Sequence, residues 1–216
     1  SSASSLSYST NCAPSVIERI RSEFDVKVSV DTSKADVMLE AVGAGAHMIN
    51  DIRALREPGA LAAAAKAGVN VCLMHMQGLP RTMQEAPHYD NVVTDVVDFF
   101  IERIQQCETA GIQREQLFLD PGFGFGKTLR HNYELLQRLT AFHQLELPLL
   151  VGMSRKSMLG KVIGKDVSER LAASVAAATI AALKGAQIIR VHDVAETMDA
   201  VKVVTATLTG DFKTNG

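Results

Sequence analysis

Six short apolar runs punctuate the chain, and each stops at polar residues. Val26–Val30 ends at Asp31-Thr32, Met48-Ile49 at Asn50-Asp51, and Val69–Met74 at His75. Leu117–Leu119 ends at Asp120, Leu149–Val151 at Gly152 and then Ser154-Arg155-Lys156-Ser157, and Ile188-Ile189 at Arg190, with His192-Asp193 just beyond. Runs of this length predict buried strands, here over 26–30, 47–51, 69–74, 117–119, 149–151 and 187–191. Helical spacing fills the intervals. Pro14 opens a helix to about Phe24, with Val16, Ile17 and Ile20 on one face. Further helices are predicted from Ser33, over 58–67, 91–109 and 130–142, around 154–163, up to about Lys184, and over 194–208. Ser33 is a candidate N-cap with Asp36 three residues on, and Asp166–Glu169 resembles a capping box. Gly68 and Gly111 suit helix ends.

Strand–helix alternation predicts right-handed crossovers onto a parallel sheet. The expected fold class is α/β, a TIM-type (β/α)8 barrel lacking about the first two strand–helix units, with six parallel strands. A doubly wound open sheet is the rival. Such a sheet places its site at one or two switch-point loops, whereas here all six strand ends are polar, as on the active face of a barrel. Residues 1–13 are low in complexity and predict a disordered or non-native tail. The barrel domain is expected over 14–209, with a C-terminal tail over 210–216.

Composition narrows the class. The chain has 216 residues, 47% of them hydrophobic, which excludes a disordered chain. The formal net charge of −2 offers no basic field for nucleic acid. The apolar stretch 171–183 is too short to span a bilayer. The three cysteines, Cys12, Cys72 and Cys107, follow no metal or disulfide spacing. They read as reduced thiols of a cytoplasmic protein.

The glycine-rich segment 122–126 fails both nucleotide tests. A Walker A loop needs glycine where Pro121 stands, and Lys127 occupies the third glycine of the dinucleotide fingerprint. Its glycines are expected to let Phe123 and Phe125 fold over a flat ligand beside Asp120. Asp31, Asn50 and Asp120 offer acceptors and an amide to a heterocycle with N–H donors, or else each caps the next helix. Arg155, Lys156, Arg190 and His192 form a cation group suited to phosphate, or a solvated basic rim. Ser157 sits where a helix N-terminus favours a carboxylate. His75 reads as packing or support for the site, with base and ligand as alternatives. His47, His88, His131 and His143 have no partners at zinc spacing, so no protein metal site is expected.

The segments VSVDTSK (28–34), MINDIRAL (48–55), CLMHMQG (72–78), LDPGFGFGK (119–127), GMSRKSMLG (152–160) and IRVHDV (189–194) together resemble bacterial dihydropteroate synthase, in that family's order and spacing. The resemblance runs from about residue 14 to 208. It implies a (β/α)8 barrel, a homodimer, and the condensation of 6-hydroxymethyl-7,8-dihydropterin diphosphate with p-aminobenzoate in folate synthesis. By resemblance, Asp31, Asn50, Asp120 and Lys156 hold the pterin, against which Met74 packs. Phe125 walls the p-aminobenzoate site and Ser157 binds its carboxylate. Arg190 and His192 hold the diphosphate, and Lys156, Arg190 and His192 are the catalytic candidates. Mg2+ is the implied cofactor, and sulfonamides are the implied inhibitors. Two family segments resembling NVTPDSFSDGG and STRPG, the first carrying the Asn that helps bind the metal, are not found in this sequence. Weak activity is therefore expected. A non-catalytic pterin-binding fragment and a pterin-dependent methyltransferase relative are the alternatives.

Overall fold

The computed structural model describes residues 12–78 and 87–210. They fall into two compact units, one running to Leu73 with Arg103–Leu117, the other Met74–Glu102 with Phe118 onward. The tail expected over 1–13 lies outside the described residues up to residue 11; residues 12 and 13 already belong to a helix. The tail expected over 210–216 lies outside them from residue 211.

The first unit opens with α1 (Cys12–Glu23), β1 (Ser29–Asp31), α2 (Ala35–Gly43), β2 (Met48–Asp51), α3 (Ala60–Ala67) and β3 (Asn70–Met74). β1 and β2 run parallel with Asp31 opposite Asn50, and β2 and β3 run parallel with Asp51 opposite Leu73. One buried cluster joins Ile17 of α1 and Ala41 of α2 with Ala46, against which Val28 and Val30 pack. Strand β1 begins at Ser29 rather than Val26. Two backbone groups before it go to side chains: Arg21 Nη1 donates to the Val26 carbonyl at 2.9 Å, and the Val28 amide donates to His47 Nδ1 at 3.1 Å. Ser33 does not cap α2, because its hydroxyl donates to Asp51 instead; Lys34 holds the cap position without a side-chain bond. Gly68 ends α3 as expected, at φ +65°, where glycine carries no Cβ penalty.

α4 (Val92–Thr109) passes from the second unit into the first. Asn91 caps it, its Oδ1 accepting from the Val93 and Thr94 amides at 3.1 Å each. The second unit continues with β4 (Leu117–Asp120), of which residues 118–120 belong to it, then α5 (Leu129–Gln137), β5 (Leu150–Val151), α6 (Ser157–Ile163), α7 (Leu171–Leu183), β6 (Ile188–Ile189) and α8 (Val194–Thr209). The His75 amide donates to the Asp120 carbonyl at 2.9 Å, Leu119 bridges Leu149 in parallel, and β5 pairs with β6 in parallel. All six expected strands form. Among the described residues β1 pairs only with β2 and β6 only with β5.

Two helical expectations fail for local reasons. The helix expected over 130–142 stops at Gln137, and Leu139–Leu145 winds into a 3₁₀ turn. Leu139, Phe142 and Leu145 are all buried, and a spacing of three stacks on one face only at three residues per turn. The capping box over Asp166–Glu169 does not form. Those residues make a short 3₁₀ turn without a side-chain cap. Arg170 is drawn away to the Lys165 carbonyl at 3.2 Å and the Arg155 carbonyl at 2.9 Å, and α7 starts at Leu171.

Candidate active site

In the first unit, Asp31 and Asn50 end neighbouring strands opposite each other, and Asn50 Nδ2 donates to Asp31 Oδ1 at 2.8 Å. Asp31 is exposed, whereas Asn50 is only 4% exposed. Asn50 Oδ1 is buried and has no hydrogen-bond partner among the described residues. A buried unsatisfied acceptor costs about 1–3 kcal/mol, so it is a place where a ligand donor is worth more than elsewhere. Neither residue caps a helix. The next residue, Asp51, does the structural work, since strand alternation sends it to the opposite face. Its carboxylate accepts from the Ser33 hydroxyl, the Arg53 amide at 2.9 Å and the Leu55 amide at 2.8 Å. These bonds hold a turn in which Ala54 and Leu55 have positive φ.

In the second unit, Asp120 ends β4, and its Oδ1 accepts from the Gly122 amide at 2.8 Å. Burial pushes its carboxyl up from the usual carboxylate range; Lys156, the Gly122 amide, Lys127 and Arg190 pull the other way. Lys156 precedes α6. Burial lowers its ammonium, Asp120 opposes this, and Arg190 adds to it. Its Nζ donates to the Phe123 carbonyl and lies 4.7 Å from the centroid of the Phe125 ring, in cation–π range. Ser157, the exposed first residue of α6, borders a recess of about 240 Å³ with Gly124, Thr128, Asn132 and Lys161. Met74, at the end of β3, is buried.

The glycine loop departs from expectation in one respect. Phe123 is fully buried and belongs to the core, so only Phe125 of the two rings is placed to cover a ligand. The glycines serve close backbone approach. A Cβ on Gly122 would lie 1.9 Å from the His75 carbonyl oxygen, and one on Gly126 would lie 2.3 Å from that of Gln77. The loop also encloses Lys127, which sequence reasoning passed over. Only 3% exposed, it is pushed down to about 7 by burial, with Asp120 opposing. The signal for it was the same lysine that broke the nucleotide fingerprint. His75 is buried, edge-on to Phe99 with centroids 4.9 Å apart, and its Nδ1 lies 2.9 Å from Lys127 Nζ. It packs and supports, as expected.

Arg190 and His192 follow β6, and both are exposed. Ser154 Oγ accepts from the His192 amide at 3.2 Å and lies 3.0 Å from its Nδ1, which fixes the ring from behind. Arg155 is not a spare cation. It holds Asp193 through two hydrogen bonds, one from Nε at 3.0 Å and one from Nη2. The bond from Arg155 keeps the Asp193 carboxyl below its usual range. Arg155 itself has φ +57°, a conformation braced by the Ser174 hydroxyl, which accepts its amide at 2.9 Å, and by Arg170 on its carbonyl. Ser154 and Asp193 stand among the polar strand ends, but their partners, like those of Ser174, lie 19 to 38 residues away and carry no local signal. Among the described residues no group of three or more His, Cys, Asp or Glu is placed to hold a metal.

Residues 7–192 match the family described as pterin binding enzyme. The chain is 62% identical over 193 residues to an Escherichia coli K12 protein named dihydropteroate synthase, covering 89% of this chain and 68% of that protein. It superposes with a TM-score of 0.90 and 57% identity on the crystal structure of Yersinia pestis dihydropteroate synthase in a sulfonamide drug complex, covering 92% of this chain and 73% of that one. A Xanthomonas albilineans dihydropteroate synthase in complex with 7,8-dihydropteroate gives a TM-score of 0.85 and 48% identity, over 91% of this chain and 72% of that one. The fold class is therefore the TIM-type barrel, and the open-sheet alternative falls.

Proposed function

This chain belongs to the pterin binding enzyme family, among its dihydropteroate synthases, and we propose how its own residues carry the transfer. The enzyme is a transferase of folate synthesis. It joins 6-hydroxymethyl-7,8-dihydropterin diphosphate to p-aminobenzoate and releases diphosphate. Asn50 carries the reading: a buried, unpartnered amide oxygen beside the Asp31 carboxylate is complementary to the N–H edge of a pterin. In the second unit Asp120 offers a pterin a buried acceptor, Lys156 a half-buried donor and Met74 an apolar surface. Phe125 and Ser157 receive p-aminobenzoate, the ring against the aromatic face and the carboxylate at the hydroxyl that opens α6.

In the reaction the bond from the pterin methylene carbon to the diphosphate oxygen breaks, and its electron pair leaves with diphosphate. The aryl amine lone pair forms the new C–N bond, and the amine proton is released. Arg190 and His192 stabilise the departing charge, and Asp120 and Asp31 tolerate positive charge developing on the pterin. A bound Mg2+ would help neutralise diphosphate; among the described residues no group of three or more His, Cys, Asp or Glu is placed to hold it.

A homodimer is proposed on the exposed apolar residues Ile180 and Leu183 of α7 and Met198, Val203 and Leu208 of α8; sedimentation equilibrium reads it. A cytoplasmic setting is proposed on the buried thiol of Cys107, which is in no disulfide. Among the described residues no helix is long and apolar enough to cross a membrane. The decisive assay is diphosphate release with both substrates and Mg2+. Release that depends on both substrates supports the reading, and release without p-aminobenzoate overturns it.

A further inference from the structure

We propose that Lys127 is a positioning residue: an internal clamp that sets the glycine loop so that the Phe123 carbonyl and the Phe125 ring hold Lys156. The geometry is acceptors on all sides. Lys127 Nζ lies 2.9 Å from the Gly122 carbonyl oxygen, 3.0 Å from that of Phe125, 3.3 Å from that of His75 and 2.9 Å from His75 Nδ1. Two of these carbonyls bracket the loop and the third belongs to the segment the loop is pressed against. Asn132 ties the loop from its other side. Its Oδ1 accepts the Gly124 amide at 2.6 Å, and its Nδ2 donates to the Lys127 and Thr128 carbonyls at 3.3 and 2.7 Å. The Tyr89 hydroxyl donates to the Gly126 carbonyl at 2.8 Å.

Backbone carbonyls turned inward on one ammonium explain why the loop needs its glycines. With Lys127 bonded to them, the chain must lie against His75 and Gln77 at distances no side chain permits at Gly122 and Gly126. On its outer side the same loop offers the Phe123 carbonyl and the Phe125 ring to Lys156. One buried lysine therefore fixes the partners of a second. Lys127 does not need to touch substrate for this. It acts through the loop, on the side proposed for p-aminobenzoate.

The inference rests on the proposed roles of Phe125 and Lys156, and its test separates the two. Lys127→Met removes every donor at similar length, and Lys127→Gln keeps two N–H donors. Amide hydrogen exchange is measured over residues 122–126 in the full chain, alongside steady-state kinetics. For Lys127→Met, exchange across the loop is expected to quicken at least about tenfold while α7 and α8 stay protected. The KM for p-aminobenzoate is expected to rise about tenfold or more, with the KM for the pterin diphosphate changed less than about threefold. Lys127→Gln is expected to recover part of both effects. Unchanged loop exchange overturns the clamp whatever the activity. Faster exchange with an unchanged KM for p-aminobenzoate overturns the positioning role. A parent chain that releases no diphosphate counts against the proposed function, and the exchange result still decides the clamp. If Lys127→Met does not fold, Lys127→Gln is read on the same two measurements.

Discussion

The strand ends of the two units solve different problems. At the end of β2 one polar atom is left unanswered: Asn50 Oδ1 is buried without a partner among the described residues, while Asn50 Nδ2 donates to the exposed Asp31. At the ends of β4 and β5 each group is answered internally. Asp120 takes the Gly122 amide, Lys156 takes the Phe123 carbonyl, and Lys127 takes three carbonyls and a histidine ring nitrogen. The first arrangement carries a standing cost that a ligand relieves. The second spends its hydrogen bonds on rigidity, so that charge is already in place when substrate arrives. Recognition of a neutral ring edge favours the first, and stabilisation of developing charge favours the second.

The largest test strikes the rigid side. Gly122→Ala places a Cβ 1.9 Å from a backbone oxygen at φ +69°. A loss on the order of 3 kcal/mol is expected in urea unfolding; a loss under about 1 kcal/mol would show the loop to be yielding and erase the contrast. Lys156→Ala comes next. Calorimetry is expected to show pterin binding at least about 100-fold weaker, some 2.7 kcal/mol, with folding retained. Unchanged affinity removes Lys156 from the site.

Asn50→Leu probes the incomplete side and is expected to divide stability from binding. Stability stays within about 1 kcal/mol, because the lost bond to Asp31 offsets relief of the orphan acceptor. Pterin affinity falls about tenfold. Equal losses in both would make Asn50 an ordinary structural residue.

Titration gives a finer reading. The folded-state value of Lys127 lies near 7, below its unfolded value of about 10.4. The unfolded chain therefore binds more protons between those limits, so stability should rise with pH across that window. Lys127→Met should flatten this slope in denaturation midpoints taken from pH 7 to 10, and an unaltered slope assigns it to another group. The smallest effect is expected at Asp193. Its depressed value makes its contribution present above about pH 3.9 and lost as pH falls through the folded value. Asp193→Asn should remove one component of the acid transition, read by circular dichroism, and no change there leaves the Arg155 pair without energetic weight.

Much of this was legible along the chain. Six strands form where buried apolar runs stood, and α3, α4 and α8 end within about two residues of their expected bounds. These are signals of composition and period, which act locally. The errors share one cause. Ser33 and Asp166 had the chemistry to cap, yet the Ser33 hydroxyl goes to Asp51 and Asp166 makes no side-chain cap bond. Phe123 read as a ligand cover because its neighbours were glycines, but the loop folds it inward.

The sequence by itself determined the strand–helix alternation, the polar strand ends, and the family to which six short motifs point. Only the tertiary structure decided which polar residues are spent and which are free to act. Asp51 and Asn50 are adjacent and nearly the same shape, yet one holds a turn and the other keeps an unpartnered oxygen. Arg155 and Lys156 are likewise adjacent cations, one neutralised by Asp193 and one held over Phe125. A side chain's availability depends on burial and on partners far away in sequence, and neither is encoded in its own local pattern.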